Sequence, residues 1–284
     1  MSIRLLGNGN LPPGAKLWLL NLGYLDLETT DLYAGSNVAL PGSGPIKHER
    51  RDAVMISALV YHPDVGLILF DVGSSEDTVK HWHSSVSECV PRIWEKGVHD
   101  LPAAIKATGA GTIEDVKVVV LSHLHFDHAG GLEHFMGTDV EIWCHEDELK
   151  YAFWACATRI DNAFYISQYL VPEKLKWNTF HRETFEIWPG ITLHHVPGHT
   201  PGSIMMEVRM EKSGPILLTS DLFHVRENYE DGIPQSGAMI RDYTKWSRST
   251  QLVKHLANKT KAKVILGHDL GYFNAMPKSP AFIE

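Results

Sequence analysis

The sequence predicts one continuous domain over residues 1–284, in which short strands and helices build a metal site at one edge of a β-sheet. The first observation behind this prediction is composition, because 44% hydrophobic and 21% charged residues are usual for a globular chain that buries a sizeable core. The second is that four separate apolar runs each end in a side chain able to bind a metal ion. The third is that no sequence repeat, low-complexity tract or clear linker divides the chain.

One stretch, Lys117 to Gly131, carries the densest set of candidate metal ligands. Val118 to Leu121 contain no charged side chain, which is the pattern of a strand buried on both faces. Two histidines follow at a spacing of two, and their imidazoles project to the same side if the chain stays extended. An aspartate and a histidine come next at a turn, where they can point toward two different ions. These four candidates are His123, His125, Asp127 and His128.

The same stretch has a second interpretation, a histidine-rich surface loop. Crowding three imidazoles and a carboxylate at the end of a buried strand costs stability unless a cation compensates, so the metal site is favoured. Gly130 and Gly131 allow the tight backbone of a loop-to-helix turn. A short helix is predicted after them, from Leu132 to Phe135.

The chain before this stretch is predicted to begin with a strand, a long loop and a hairpin. The strand covers Lys16–Leu22, and the loop is the Gly-, Pro- and Ser-rich segment Gly23–Glu49. The hairpin joins Ala53–Tyr61 to Gly66–Asp71 through a turn that contains a proline. Asp71 ends the second strand, where it either orients a ligand histidine or caps the next turn.

The rest of the chain mixes helical segments with short strands. A helix is predicted at Leu101–Thr108 and a strand at Val140–Cys144. The aromatic-rich segment Glu146–Trp177 is interpreted either as core packing or as the wall of a pocket for an apolar substrate. Further strands are predicted at Ile191–Val196, Met205–Met210, Pro215–Thr219 and Ala262–Leu266. Three of these four runs are followed by further candidate ligands, which are His199, Asp221 and His268.

Charge and hydropathy argue against two classes of partner. The formal net charge of −8 does not suit a nucleic acid, whose phosphates attract clustered Lys and Arg, and the basic run Lys259–Lys263 is interpreted as a solvated helix end. No apolar run reaches the ~18 residues of a membrane span, and the first twenty residues lack the pattern of a signal peptide. Because the three cysteines are far apart and odd in number, a reducing, cytoplasmic location is expected.

The candidate ligands together resemble the metallo-β-lactamase superfamily, over about half of the chain. The resemblance implies an α+β fold, namely the αββα sandwich in which two mixed sheets lie face to face with helices outside. It also implies two metal ions bridged by Asp221. Imidazole and carboxylate suit zinc, and two zinc ions are expected, although manganese, iron or cobalt would accept the same donors. The implied ligands are His123, His125 and His199 for the first ion and Asp127, His128 and His268 for the second.

Within the superfamily, the chain looks most like the N-acyl-homoserine lactonases. The shared motifs are Ser-His-Leu-His-Phe-Asp-His-Ala-Gly-Gly at 122–131, Pro-Gly-His-Thr-Pro-Gly at 197–202 and Glu-Asn-Tyr-Glu-Asp at 227–231. The resemblance implies that a metal-bridging hydroxide opens a lactone ring, and Asp127 could pass a proton to the leaving group. Those enzymes carry a tyrosine three residues after the bridging aspartate, where this sequence has His224. We expect His224 to donate a hydrogen bond to the substrate carbonyl oxygen; the alternative is a histidine that packs or faces solvent.

Three functions are therefore open, and lactone hydrolysis, of the kind that quenches quorum signals, is the favoured one. Hydrolysis of a cyclic amide or carbamate, or of a thioester as in glyoxalase II, is the alternative. A metal-binding or regulatory protein without turnover is the third. A small-molecule substrate is expected, with no nucleic acid or membrane partner, and a homodimer is left open.

Overall fold

The computed structural model describes residues 9–39, 41–44, 48–171, 173–237 and 239–284. Within these residues, two mixed β-sheets of seven and five strands pack face to face between helices. The predicted α+β sandwich of the αββα type is confirmed. No helix in the described ranges is long and apolar enough to cross a membrane.

The described residues form the following strands and α-helices. The strands are β1 (Lys16–Glu28), β2 (Arg50–His62), β3 (Gly66–Phe70), β4 (Arg92–Ile93), β5 (Val116–Val120), β6 (Glu141–His145), β7 (Lys176–Phe180), β8 (Thr184–Trp188), β9 (Ile191–His195), β10 (Ile204–Met210), β11 (Gly214–Leu218) and β12 (Lys263–Ile265). The helices are α1 (Thr29–Leu32), α2 (Thr78–His81), α3 (Ser84–Cys89), α4 (Leu101–Ala107), α5 (Phe126–Ala129), α6 (Glu146–Thr158), α7 (Arg226–Tyr229), α8 (Tyr243–Thr260) and α9 (Leu270–Asn274).

The sheet order brings the ends of five strands to one edge of the sandwich. The first sheet has the order β4-β1-β2-β3-β5-β6-β7, and β3, β5, β6 and β7 run parallel. The second has the order β12-β11-β10-β9-β8, in which β11 and β12 run parallel and the other neighbours antiparallel. The carboxyl ends of β3, β5, β9, β11 and β12 each lead into a segment that reaches the candidate site.

Three apolar cores hold the layers together. Alternate residues of a strand point to opposite faces of the sheet and so enter different cores. Along β1, Leu17 and Leu19 enter the core between the two sheets, whereas Trp18 and Leu20 enter the core under the helices of the first sheet. A third core joins the outer face of the second sheet to α8, where Trp246 is buried. Because both faces of the central strands are covered, apolar residues dominate them; four of the five residues of β5 are valine.

The first strand is longer than the sequence predicted. Pairing with β2 continues past a register shift between Asn21 and Tyr24, where Gly23 has a φ of +99°. A bulge of this kind inserts an extra residue and lets the strand go on, and glycine adopts the left-handed conformation without strain. The predicted loop is therefore wrong over Gly23–Glu28, which belongs to β1, and over Thr29–Leu32, which forms α1. Residues 40 and 45–47 of that segment lie outside the described residues, as do residues 1–8 of the proposed single domain.

The predicted hairpin is confirmed as β2 and β3, and the predicted helix at 101–108 as α4. The short helix predicted at 132–135 is a 3₁₀-helix over Gly130–Phe135. Gly130 has an ordinary helical φ of −59°, so what requires glycine there is close packing and not an unusual backbone conformation. A Cβ at Gly130 would lie 2.2 Å from Ser75 N, and one at Gly131 would lie 2.3 Å from Val72 O. Close packing against the segment after β3 thus requires both glycines.

Candidate metal centre

The seven ligands predicted from the sequence meet in one buried cluster. The segment after β5 supplies His123 and His125, α5 supplies two ligands, and the loops after β9 and β12 supply one each. The remaining ligand lies in a 3₁₀-helix, Ser220–Leu222, that follows β11. Each of the seven side chains is at most 8% exposed. The predicted ligands are His123, His125, Asp127, His128, His199, Asp221 and His268.

Asp221 lies at the centre of the cluster, and each of its two oxygens faces a different group of histidines. Oδ1 is 3.1 Å from Nε2 of both His128 and His268. Oδ2 is 3.4 Å from Nε2 of His199 and 3.8 Å from Nε2 of His123. The carboxylate therefore separates two sets of donors, as a bridging ligand between two ions would.

Each set is completed by one more predicted ligand. Asp127 Oδ2 lies 3.5 Å from Nε2 of both His128 and His268, which places it with the Oδ1 set. His125 Nδ1 lies 3.0 Å from His199 Nε2, which places it with the Oδ2 set. This is the division of ligands that the family resemblance implied.

The outer hydrogen bonds of four histidines fix which nitrogen faces the cluster. Each donates its Nδ1 proton to an acceptor, which leaves the Nε2 lone pair directed inward. The pairs are His123 to Ser122 Oγ at 2.9 Å, His128 to Asp71 Oδ2 at 2.9 Å, His199 to Met239 O at 2.7 Å and His268 to Val54 O at 3.0 Å. Four inward lone pairs beside two carboxylates repel one another unless a cation lies among them.

Buried polar atoms without hydrogen-bond partners also indicate a bound cation. Nε2 of His123, Nε2 of His128 and Oδ1 of Asp221 are buried and accept no hydrogen bond. Buried polar atoms normally have partners, so unpaired acceptors that converge are a strong sign of a bound ion. Imidazole nitrogen and carboxylate oxygen are donors that suit zinc. The residues present therefore fit a pair of metal ions.

The protonation preferences of the two sets differ. Burial lowers the pKa values of His123 and His125 well below normal and that of His199 to about 3, so these rings are neutral and ready to bind a metal. Burial acts in the same direction on His128 and His268, but the neighbouring carboxylates outweigh it and raise both pKa values.

Asp71 resolves the alternative that the sequence left open, because it orients a ligand histidine. Its Oδ2 accepts from His128 Nδ1, and its Oδ1 accepts from the backbone N–H of Ser122 at 2.7 Å. The hydroxyl of Ser122 also donates to Oδ2, at 2.8 Å. One buried carboxylate therefore positions both the first histidine motif and a ligand of the second set.

Glu148 is a supporting residue that the sequence analysis missed. It lies on α6, is fully buried, and accepts from Leu124 N at 2.9 Å, Thr200 Oγ1 at 2.5 Å and Gly202 N at 3.2 Å. These contacts join the loop that carries His123 and His125 to the loop that carries His199. A glutamate in the first turn of a helix is usually solvated, so its sequence position gave no signal of this role.

A pocket with apolar walls opens onto the cluster. Phe164 from the aromatic-rich segment lies over His125, with ring centroids 5.1 Å apart. Tyr165 and Tyr169 of the same segment are buried in the core, so the segment both packs in the core and lines the pocket. The pocket is also lined by Leu25, Leu27, Asp31, Val90, Phe126 and Met239, and His224 faces it.

Residues of the motif at 227–231 pack beside the pocket and do not line it. Asn228 is fully buried, and its Nδ2 donates to Leu32 O at 3.1 Å and to Ile233 O at 2.9 Å. Glu227 accepts from Arg51 Nη1 at 2.6 Å. These contacts fix the segment after His224 against α1, on the side of the pocket where Asp31 lies.

Comparison with known proteins agrees with the fold and identifies the superfamily. Residues 51–268 match the metallo-beta-lactamase superfamily, and the chain belongs to that superfamily and is a metal-dependent hydrolase. An N-acyl homoserine lactonase AiiB from Agrobacterium fabrum is 28% identical over 275 residues, which are 94% of this chain and 98% of that protein.

Two further relatives give a similar result. An N-acyl homoserine lactonase from a Bacillus species is 32% identical over 170 residues, but these span 60% of this chain and 62% of that protein, less than two thirds of its length. The crystal structure of an N-acyl homoserine lactone hydrolase with the product N-hexanoyl-L-homoserine at its catalytic metal centre has a TM-score of 0.77 and 25% identity, over 94% of this chain and 98% of that one.

Proposed function

We propose that this protein hydrolyses lactones of the N-acyl-homoserine type, with two zinc ions held by the seven ligands named above. The observation that carries the proposal is Asp221, whose two oxygens face separate sets of inward-directed donors at the floor of an apolar pocket. When bound, two zinc ions supply an activated water and polarise a carbonyl oxygen. Relatives that cover nearly the whole chain are lactonases, which supports a lactone as the substrate.

The residues of the chain would then bind the substrate and move the proton. Ring opening forms a bond between the water oxygen and the carbonyl carbon, breaks the bond from that carbon to the ring oxygen, and transfers a proton to the leaving alkoxide. Asp127 lines the pocket and lies beside His128 and His268, so we assign it the transfer of that proton. Its other task, as a ligand, keeps it at a fixed distance from the reacting ester.

The apolar wall would select the substituent of the lactone. Leu25, Leu27, Val90, Phe164 and Met239 line the same pocket as the metal ligands. A lactone with an apolar acyl chain would bury that chain against these residues, at about 25 cal/mol per Å² of apolar surface. An acyl-substituted lactone is therefore expected to be a better substrate than an unsubstituted one.

A substrate panel tests the proposal. Zinc-loaded protein is assayed on N-hexanoyl-homoserine lactone, an unsubstituted butyrolactone, the open-chain methyl ester of N-hexanoyl-homoserine, a benzoxazolinone and a glutathione thioester. Chelator-treated protein and the Asp221→Ala variant are the controls. We expect the acylated lactone to have the highest kcat/KM, at least about tenfold above the open-chain ester, because the pocket holds the ester in its ring conformation. A thioester or a cyclic carbamate as the best substrate by a wide margin would replace the lactonase assignment.

A further inference from the structure

The backbone around His224 is held firmly at the edge of the metal centre. Phe223 is fully buried in the core under α8. The carbonyl oxygens of Phe223 and His224 accept from the backbone N–H groups of Gly267 and His268, both at 2.9 Å. The segment after Asp221 is thereby joined to the segment that carries His268. His224 itself is 3% exposed, so its ring has little freedom to turn away from the cluster.

The ring of His224 approaches the bridging carboxylate without forming a hydrogen bond to it. Nε2 lies 3.1 Å from Asp221 Oδ2, yet both ring nitrogens are buried and have no hydrogen-bond partner. A nitrogen this close to a carboxylate oxygen would be hydrogen bonded if its N–H were directed at that oxygen. Its in-plane direction must therefore lead elsewhere.

The same geometry is found at a predicted ligand. His128 Nε2 lies 3.1 Å from Asp221 Oδ1 and also lacks a hydrogen bond. Two donors that bind one zinc ion at ~2.0–2.2 Å lie roughly 3.0–3.5 Å apart, and each is directed at the ion rather than at the other. His224 thus has, toward Oδ2, the relation that His128 has toward Oδ1. His199 Nε2 is 3.4 Å from Oδ2, a little farther than His224.

We infer that His224 is a ligand of the first ion, beside His123, His125, His199 and Oδ2 of Asp221. The inference rests on the proposed metal site but not on the proposed substrate. It gives the first ion five protein donors, whereas Asp127, His128, His268 and Oδ1 of Asp221 give the second ion four. The donor role expected from the sequence differs from this one, because a residue that only contacts substrate has no effect on metal binding. Nδ1 of His224 keeps its proton for a bound substrate or a water.

The unequal number of donors has a consequence for metal binding. The first ion should bind before the second and should be released to a chelator after it. With His224 removed, each metal site has four protein donors. The two zinc ions should then be released at more similar chelator concentrations. In the wild-type protein the second ion has fewer protein donors, so the open coordination position that a substrate carbonyl requires would lie at that ion.

Metal binding of His224→Ala tests the inference without reference to turnover. Zinc affinities are measured by competition with a coloured chelator, and the cobalt-loaded protein is examined by visible absorption, whose intensity depends on coordination number. His255→Ala is the control, since it removes an exposed histidine on α8. We expect at least about a tenfold weaker first zinc equivalent in His224→Ala, the scale on which lost metal-site interactions act, and a changed cobalt spectrum. The control should match the wild type.

Two further variants keep the test decisive. His224→Gln retains a polar side chain and replaces the alanine variant if that protein does not fold. His224→Tyr restores a hydrogen-bond donor and should leave the first zinc equivalent weakened. Wild-type zinc affinities and an unchanged cobalt spectrum in these variants would overturn the inference, whatever happens to turnover. A protein that binds two zinc ions with the expected asymmetry but opens no lactone would instead contradict the proposed function alone.

Discussion

Replacement of Asp71 by Asn tests how the hydrogen bonds of this buried carboxylate contribute to the metal centre. Asp71 has a φ of +59°, a conformation that asparagine tolerates, so the backbone after β3 should not change. Oδ1 faces the N–H of Ser122, which can only donate, so the amide oxygen of the variant must take that position. The amide N–H₂ then takes the place of Oδ2 and faces His128 Nδ1.

The expected cost follows from the tautomer of His128. With an amide donor opposite, Nδ1 must accept and the ring proton moves to Nε2, the nitrogen that faces Asp221 and would bind the second ion. The loss of such an orienting carboxylate typically weakens metal binding about 10- to 100-fold, which corresponds to roughly 1.4–2.8 kcal/mol. Binding of the first ion should change less, because only His123 of its predicted ligands is linked to Asp71, indirectly through the hydroxyl of Ser122.

Competition between the protein and a chelator measures the affinities of the first and second zinc equivalents, in the wild type and in Asp71→Asn. Glu207→Gln is a matched control, because His194 Nε2 lies 2.8 Å from Glu207 Oε2 in a buried pair outside the cluster. It should leave both zinc affinities unchanged. If Asp71→Asn binds two equivalents as tightly as the wild type, the tautomer argument is wrong and the outer hydrogen bonds do not control the site.

Three other predictions concern the bridge, the pocket and acid stability. Asp221→Ala should lose both zinc equivalents and all turnover, as measured by elemental analysis after dialysis; one retained equivalent with full activity would contradict a bridging role. Arg241 forms a bidentate pair with Asp161, at 2.6 and 2.5 Å, and its guanidinium lies 5.1 Å from the centroid of the Phe164 ring, so Asp161→Asn should lower stability by about 1–3 kcal/mol, between the values for exposed and buried pairs. It should also reduce the preference for acylated over unsubstituted lactones, and an unchanged preference would separate Phe164 from substrate selection. Burial lowers the pKa of His145 to about 4. The nearby His195 also lowers this pKa, whereas Asp147 and Glu146 raise it by less. The fold thus favours the neutral ring, and stability should fall as pH drops from about 6.5 toward 4, by up to about 3 kcal/mol. His145→Asn keeps an acceptor for the N–H of Asp147. In denaturant titrations of metal-free protein, its free energy of unfolding should fall less between about pH 6.5 and about pH 4 than that of the wild type. An equal fall in both proteins would rule His145 out as the cause.

The sequence predicted the position of the site well because each ligand adjoins a strand end. Parallel strands place their carboxyl ends at one edge, so a run such as Val118–Leu121 before His123 locates the side chain as well as the strand. The resemblance then supplied the grouping of the ligands, which the distances around Asp221 reproduce. What the sequence left open at Asp71 needed the fold, since Asp71 and His128 are far apart in the chain.

Other features were missed for different physical reasons. Helix α8 buries Trp246, Val253 and Ala257 at helical spacing, so its signal was present in the sequence and was overlooked. Strands β7 and β8 are largely half-buried or exposed and show no clear alternation, so no periodic signal marked them. Glu148 acts through contacts with residues 24 to 54 positions away, which no local pattern encodes.

The proposed lactone hydrolysis requires two ions held by these residues. This requirement is tested most directly by turnover of N-hexanoyl-homoserine lactone while zinc is added to metal-free protein, from zero to two equivalents per chain. We expect little activity with the first zinc equivalent and full activity only when the second has bound. Full activity at one equivalent, or no ring opening with two equivalents bound, would contradict this expectation.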